Sequence, residues 1–491
     1  MTDINWNWIQ SEPYEMFIGG EFTRGSTGRT YDIINPANNE TIARAWEASL
    51  DDVDRAVAAA RDAFDNGPWS RMTGKERGEY LRRMADLIRG DMNKFAFLEA
   101  ADVGKTFHRT LSYSIPQAID GFEYHAGKAR EIAGEVRPVP ERNFFNYRVW
   151  EPMGVVAEIL PWNGPFMMAC QKVSAILAAG NTVVIKPSQE GSLSNLELAK
   201  LFARAEFPPG VVNVVAGPGH ALGARLVEHP DVDMISLTGG TDTGKAVMRQ
   251  AADTMKKVAL ELGGKNPHIV FDDADVEQAV QWAIYAAFAD QGQICVSGSR
   301  LLLHDPIYED FMDAFVDRVR QLKIGDTMAE DTDIGPVISR RHEQTILNYL
   351  NIGKQEGATL LLGGEKVHDA PFDRGNYIQP TIFTDVTPDM RIAQEEIFGP
   401  VVTVTRFHDD DEALRISNGI KYGLAGGIWT RDIDRALRTA SRLNAGQIYL
   451  NSYYSPALVD SPAEGHKESG IGGTGVYKYM QEKTVFVRLK G

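Results

Sequence analysis

The chain has 491 residues, 43% of them hydrophobic and 24% charged, with a formal net charge of −16. Such a composition builds a globular α/β or similar core spread over several domains, and the acidic balance excludes the basic stripe of a nucleic-acid footprint. Its two cysteines, Cys170 and Cys295, exclude a disulfide framework and fit a reducing, cytoplasmic setting; no window supplies the ~20 apolar residues of a membrane span.

Taken in chain order, Met1–Trp6 has no basic stretch before an apolar run and does not read as a secretory leader. Val53, Val57, Ala60 and Phe64 fall at helical spacing and predict a helix over Asp52–Phe64, with a second helix over Gly74–Leu87. Near residue 150 the pattern becomes more regular. Val155–Leu160 reads as a buried strand stopped by Pro161, Phe166–Ala179 as an apolar helix ended by Gly180-Asn181, and Thr182–Lys186 as a strand stopped by Pro187. A helix over Ser194–Ala205, strands over Val211–Val215 and Met234–Leu237, and a helix opened by Gly244 complete this stretch. Continuous apolar strands alternating with helices mark a parallel sheet covered on both faces. Ligands of such sheets bind beyond the carboxyl ends of the strands, where Asn163, Lys186 and Gly239-Gly240 lie.

The pattern restarts with strands over Lys257–Leu262 and Pro267–Phe271 and a helix over Asp275–Ala289, with Asp272 or Asp273 near its cap. A second α/β unit is expected over 260–460. Glu135–Trp150 and Thr484–Leu489 alternate in polarity and read as hairpin or edge strands outside both units. No repeat or low-complexity tract interrupts the chain.

Cys295 stands in Gln291-Gly292-Gln293-Ile294-Cys295-Val296-Ser297-Gly298-Ser299-Arg300. Glycines and polar residues flank it where a core strand would be apolar, so it reads as a presented thiol, a nucleophile once deprotonated. Cys170, on the apolar helix Met167-Met168-Ala169-Cys170, reads instead as a small buried hydrophobe. Glu261, in Glu261-Leu262-Gly263-Gly264-Lys265-Asn266-Pro267, closes an apolar strand. It is either a salt-bridged carboxylate or a general base, and the double glycine lets another group pass close to the backbone. Thr238-Gly239-Gly240-Thr241-Asp242-Thr243-Gly244-Lys245-Ala246 nearly matches a phosphate-cradling loop, but Ala246 replaces the hydroxyl that would hold magnesium. A nucleotide hydrolase is therefore disfavoured, and two readings remain, a helix start that approaches a phosphate and a plain glycine turn.

In combination these segments resemble the aldehyde dehydrogenase superfamily. The matching runs are Pro161-Trp162-Asn163, Lys186-Pro187-Ser188, Thr238-Gly239-Gly240 with Gly244, Glu261–Lys265, Gly292–Cys295, Glu395-Glu396-Ile397-Phe398-Gly399-Pro400, Asn451 and His466–Gly470, in family order; Ile34-Asn35-Pro36 and Gly104-Lys105 extend the likeness over nearly the whole chain. The resemblance implies oxidation of an aldehyde to a carboxylic acid with NAD, NADP staying open, and no metal. Cys295 would be the nucleophile, Asn163 and the Cys295 amide would hold the oxyanion, Glu261 would activate water and Lys172 would help relay protons. Lys186 and Glu396 would bind the two riboses, Gly239 and Gly240 would sit near the pyrophosphate and Phe398 near the nicotinamide. Ile159, Trp162, Ser188, Gln189, Gly219, Gly244 and Leu262 complete the implied cofactor contacts. The implied fold is a Rossmann-like cofactor domain (1–128 and 150–258), an α/β catalytic domain (259–468) and a small β oligomerisation element (129–149 and 469–491), assembled as a homodimer or homotetramer.

Three departures from the family pattern carry expectations. Gln189 replaces a frequent glutamate, and a neutral amide repels a 2′-phosphate less than a carboxylate does. Pro462-Ala463-Glu464-Gly465 replaces a common Pro-Phe-Gly-Gly. Gly164, Gln171, Ala289 and Ala463 stand where family members often carry aromatics, which predicts a roomy, polar pocket for a bulky or polar aldehyde. Two other readings are a CoA-acylating enzyme, disfavoured by the presence of Glu261, and a non-enzymatic structural relative, disfavoured by the retention of both Cys295 and Glu261.

Overall fold

A computed structural model describes residues 5–454 and 459–490. Five parallel strands form the centre of an eight-stranded sheet: Val155–Ile159, Thr182–Lys186, Val212–Val214, Met234–Thr238 and Lys257–Glu261. Numbered along the chain, they lie in the spatial order 3-2-1-4-5, the doubly wound arrangement whose order reverses between the first and fourth strands. The strand interiors are buried because helices cover both faces. The Leu50–Asp65 and Gly219–Glu228 helices pack with Val155, Val184 and Ile235 in one core, while Pro165–Ala178 and Leu193–Arg204 pack with Val156, Val183 and Ile185 in another.

The chain leaves this sheet at Glu261 and enters a second, seven-stranded one at Pro267. There Thr381–Thr384, Val401–Phe407, Arg300–His304, Pro267–Val270, Ala425–Trp429 and Gln447–Leu450 run parallel in that spatial order, with Thr359–Leu362 antiparallel at one edge. The five-residue crossing Leu262–Asn266 therefore lies between the two sheets. A separate antiparallel sheet joins Glu135–Arg137, Phe144–Pro152 and Met480–Arg488, and it exposes Val136, Phe144, Phe145, Phe486 and Val487. The predicted edge strands are these, longer than their alternation suggested because pairing continues through Trp150 to Pro152.

Most expected bounds move by one to three residues, and two of the shifts bear on packing. The helix after Met234–Thr238 begins at Thr241, and Gly244 sits in its first turn; there a Cβ would come 2.6 Å from Leu262 Cδ2, so the glycine permits close helix–crossing packing. The helix expected from Asp275 spans Val276–Phe288, and its cap is Asp275 itself, whose side chain accepts from the Gln278 amide, rather than Asp272 or Asp273. Those two acids instead meet Arg435, the Thr430 hydroxyl and the amides of Arg431 and Asp432. Among the described residues no helix is long and apolar enough to cross a membrane.

Candidate active site

The cysteine loop is shaped by its neighbours. After Phe288 the backbone takes left-handed conformations at Asp290, Gln291 and Gly292, with φ of 48°, 58° and 69°. For the two non-glycines this costs about 1–3 kcal/mol each unless the surroundings hold it. The Asp290 side chain is 7% exposed and is clamped by Arg109 Nε at 2.9 Å and Lys105 Nζ at 3.6 Å. Gly292 has no alternative, since a Cβ there would lie 2.2 Å from the Gly399 carbonyl oxygen. Farther along, Asn266 Nδ2 donates to the carbonyls of Cys295 (2.9 Å) and Ser297 (2.8 Å), and Asn163 Nδ2 donates to the carbonyl of Gln293 (2.8 Å). Half-buried, Cys295 thereby faces a cavity of about 230 Å³ that Asn163, Lys172 and Glu261 also line. Cys170 is fully buried, as its apolar helix implied.

Burial pushes the Cys295 thiol up to about 12, and the carboxylates of Glu396 and Glu261 act in the same direction, against the Val296 and Cys295 amides. In the cofactor-free chain the sulfur therefore rests as a thiol at neutral pH. Only the thiolate alkylates, so iodoacetamide labelling of Cys295 is expected to climb about tenfold per pH unit between about pH 7 and pH 10 without levelling. Labelling that reaches a plateau within that range contradicts the assignment; Cys295→Ala supplies the blank.

Glu261 ends the fifth parallel strand and points into the same cavity as Cys295. Its nearest cation is Lys478, 3.7 Å away. Beyond it, Glu396 Oε1 accepts from the Gly264 amide at 2.9 Å, and a Cβ on Gly263 would lie 2.2 Å from Glu396 Oε2. The group that the double glycine lets through is thus the Glu396 carboxylate, which burial pushes up to about 7. Lys172 does not meet Glu261; its ammonium lies 3.6 Å from Glu158, a fully buried acid of the first strand.

The residues expected at a cofactor site gather along the carboxyl edge of the first sheet. Ile159 and Lys186 end adjacent strands and pair in register. Lys186 is 4% exposed, not solvated; burial lowers it to about 8 and its Nζ donates to one carbonyl, that of Pro187 at 2.9 Å. Past it, Ser188 is half-buried and Gln189 exposed. Gly219 opens an exposed helix start, and Gly240 caps the Thr241–Ala251 helix with open space where a Cβ would be, Gly239 being nearly as open. Leu262 packs under Gly244. Trp162 meets Phe398 edge-on at 5.3 Å, and Phe398 itself is left-handed at φ 59°, its carbonyl held by His342 Nε2 at 2.7 Å. A buried ammonium, uncapped helix amides and bare glycine backbone at a sheet switch point form a surface that suits a dinucleotide.

Of the four small or polar positions expected around the pocket, three are found there, and rings from elsewhere join them. Gly164, Gln171 and Ala463 do line it, but Ala289 does not; it caps the helix before the loop. Tyr113, Tyr449, Tyr454 and Tyr479 line the cavity instead. Sequence reading also missed Arg109, Asp290, Glu158 and Lys478. One signal was available: Glu158 is a lone acid inside the apolar run Val155–Leu160.

Residues 22–487 match the model of the "Aldehyde dehydrogenase family". The chain is 42% identical over 479 residues to a betaine aldehyde dehydrogenase of Bacillus subtilis, covering 97% of each sequence. Among solved structures, a betaine aldehyde dehydrogenase of Staphylococcus aureus in complex with NAD+ superposes with a TM-score of 0.97 at 37% identity, over 99% of this chain and 97% of that one. An NAD+ complex of an aldehyde dehydrogenase from Bacillus cereus gives 0.95 at 42% identity, over 98% and 97%.

Proposed function

The chain belongs to the aldehyde dehydrogenase family, and from that premise we propose that it oxidises a polar aldehyde to the carboxylic acid with NAD+, through a thioester on Cys295. The observation that carries this reading is that one cavity is lined by a thiol, a carboxylate and an amide donor, those of Cys295, Glu261 and Asn163. Residues 1–128 with 153–261 serve as the cofactor domain and 262–468 as the catalytic domain, the expected bounds at 150 and 258 being shifted so that the strands Phe144–Pro152 and Lys257–Glu261 stay whole, and the three-stranded sheet with its exposed apolar residues serves as the contact of a homodimer or homotetramer. Two cysteines and no disulfide suit the cytoplasm.

NAD+, when bound, supplies the hydride acceptor. Lys186 and Glu396 bind its riboses; the helix start at Gly239 and Gly240 takes the pyrophosphate, and Phe398 with Trp162 flanks the nicotinamide. The remaining cofactor contacts are Ile159, Ser188, Gln189, Gly219, Gly244 and Leu262. Cys295 Sγ, at rest a thiol, gives its proton up to water in the cavity and, as thiolate, bonds to the aldehyde carbon while the carbonyl oxygen gains negative charge. Asn163 Nδ2 and the Cys295 amide donate to that oxygen. One Asn163 hydrogen holds the Gln293 carbonyl, which fixes the amide so that its other hydrogen is pre-aimed. The carbonyl re-forms as the hydride leaves with its electron pair, and a thioester remains. Glu261 takes a proton from water as the water oxygen bonds to the acyl carbon. The C–S bond then breaks, releasing the acid and restoring the sulfur. Lys172, paired with Glu158 and lining the same cavity, helps relay the proton through cavity water to solvent.

Asn163→Ala is expected to lower kcat by roughly 10²–10³-fold with little change in KM, because its donor counts most when charge develops on oxygen. A rise in KM at unchanged kcat contradicts that role. The reading as a whole is tested by a panel of aldehydes assayed for reduced cofactor with NAD+ and with NADP+, with CoA as an added acceptor. Carboxylic acid formed without CoA supports it; acyl-CoA as the sole product contradicts it.

A further inference from the structure

One wall of the cavity carries a charge pattern that the reaction at Cys295 does not use. Arg109 and Tyr113 lie one turn apart on the stretch Phe107–Lys128, which widens into a π-turn at Thr110–Ser114; such turns are frequent at functional sites. The Arg109 guanidinium is 16% exposed and lines the cavity. Its Nε donates to Asp290 at 2.9 Å and its Nη1 to the Tyr285 hydroxyl at 2.6 Å. It lies 5.1 Å from the Tyr113 ring centre and 4.9 Å from that of Tyr285. Neither Arg109 Nη2 nor the Tyr113 hydroxyl donates to any other described residue. By contrast, the hydroxyls of Tyr449 and Tyr454 are spent on Gln447 and the Ala286 carbonyl.

Charge decides what this wall accepts. Four basic side chains line the cavity, Lys105, Arg109, Lys172 and Lys478, against two carboxylates, Glu261 and Asp290. Glu158 stands behind Lys172. Asp290 is shared by Lys105 and Arg109, so one cation at this wall lacks a full partner. Glu99, buried behind Lys105, is driven toward its neutral form by burial, and His125, on the same wall, is held neutral by burial down to about 4. A ring of tyrosines would otherwise suit a quaternary ammonium. Here the protein's own guanidinium already lies over the Tyr113 ring, and it repels a second cation.

We propose that the aldehyde this chain oxidises carries a carboxylate at its far end, received by Arg109 and the Tyr113 hydroxyl. The substrate class is thus an ω-oxo acid, and Arg109 is its specificity-determining residue. The inference rests on the reading of Cys295 and Glu261 as the oxidising centre.

Its test has two arms. In the first, wild-type kcat/KM is compared across succinic, glutaric and adipic semialdehydes, the neutral pentanal and hexanal, and betaine aldehyde. A charge-assisted hydrogen bond predicts a preference of roughly 10–100-fold for the best semialdehyde over the neutral aldehydes, with betaine aldehyde poorest. Arg109→Gln is expected to erase that ratio and Arg109→Lys to keep part of it. An Arg109 that merely braces Asp290 would lower all substrates together and leave the ratio intact, which overturns the proposal. The second arm needs no turnover. Glutarate and adipate are expected to slow iodoacetamide labelling of Cys295 in the wild type and not in Arg109→Gln, and pentanoate to protect weakly in both. Equal protection by the neutral-ended and dianionic acids also overturns the proposal. The two readings fail differently: reduced cofactor formed best from neutral or cationic aldehydes sinks the anion preference alone, whereas no reduced cofactor from any aldehyde sinks the oxidising centre.

Discussion

Cys295→Ala is expected to abolish aldehyde-dependent reduction of NAD+, a loss on the order of 10⁴–10⁶-fold in kcat. The magnitude follows from what the sulfur is asked to do. Hydride departs readily only after a nucleophile has made the carbonyl carbon tetrahedral, and the cavity holds no second thiol, since Cys170 is sealed in the core. The substitution removes one half-buried sulfur and leaves the loop's anchors, Asn266, Asn163 and Asp290, in place, so the fold and cofactor binding should persist. Binding is checked by quenching of tryptophan fluorescence, for which Trp162 beside Phe398 is well placed. Residual turnover within tenfold of the wild type, in protein that still binds the dinucleotide, contradicts nucleophilic catalysis by this residue.

The second large effect is expected at Glu261. Replacing it with Gln preserves shape and removes the proton acceptor. General base catalysis contributes typically ~10²–10⁴-fold, and here the loss should fall on hydrolysis of the thioester rather than on its formation. Mixing Glu261→Gln with NAD+ and a good substrate should therefore give a burst of reduced cofactor close to the Cys295 concentration, then a slow steady rate. The wild type, if hydrolysis is not limiting, shows no such burst. A variant that loses the burst amplitude as well as the steady rate would place Glu261 in thiol activation instead; its carboxylate does act on Cys295, pushing the thiol up together with Glu396.

The parallel sheet was legible because each of its strands is a short apolar run closed by proline, glycine or asparagine. Thr182–Lys186 runs as the pattern dictates, to the residue. The order of the strands was not legible: apolar runs carry no record of which neighbours they take, and the 3-2-1-4-5 sequence follows from how the helices pack. Cys295 and Glu261 could be singled out because each breaks its local pattern, a thiol among glycines and an acid at the end of an apolar strand. Arg109 and Asp290 could not. They lie 181 residues apart, and a basic residue on a helix reads as solvated until the fold buries its partner. The aromatic lining was missed for a related reason. The positions inspected were those where relatives carry rings, whereas the tyrosines here come from the Phe107–Lys128 stretch, the strand Gln447–Leu450, Tyr454 beyond it and the turn Val476–Tyr479. Lys186 shows the same limit in reverse, since a lysine at a strand end is ordinarily solvated and this one is covered by the turn beyond it.

Covalent capture on sulfur is tested most directly by mass. Glu261→Gln, quenched in acid after the burst, is expected to carry on the Cys295 peptide the mass of the aldehyde less two hydrogens, one lost as hydride to NAD+ and one displaced from the thiol. Omitting NAD+ should remove that adduct. An unmodified Cys295 at full burst amplitude, or the adduct on another residue, would contradict oxidation through a thioester at this site.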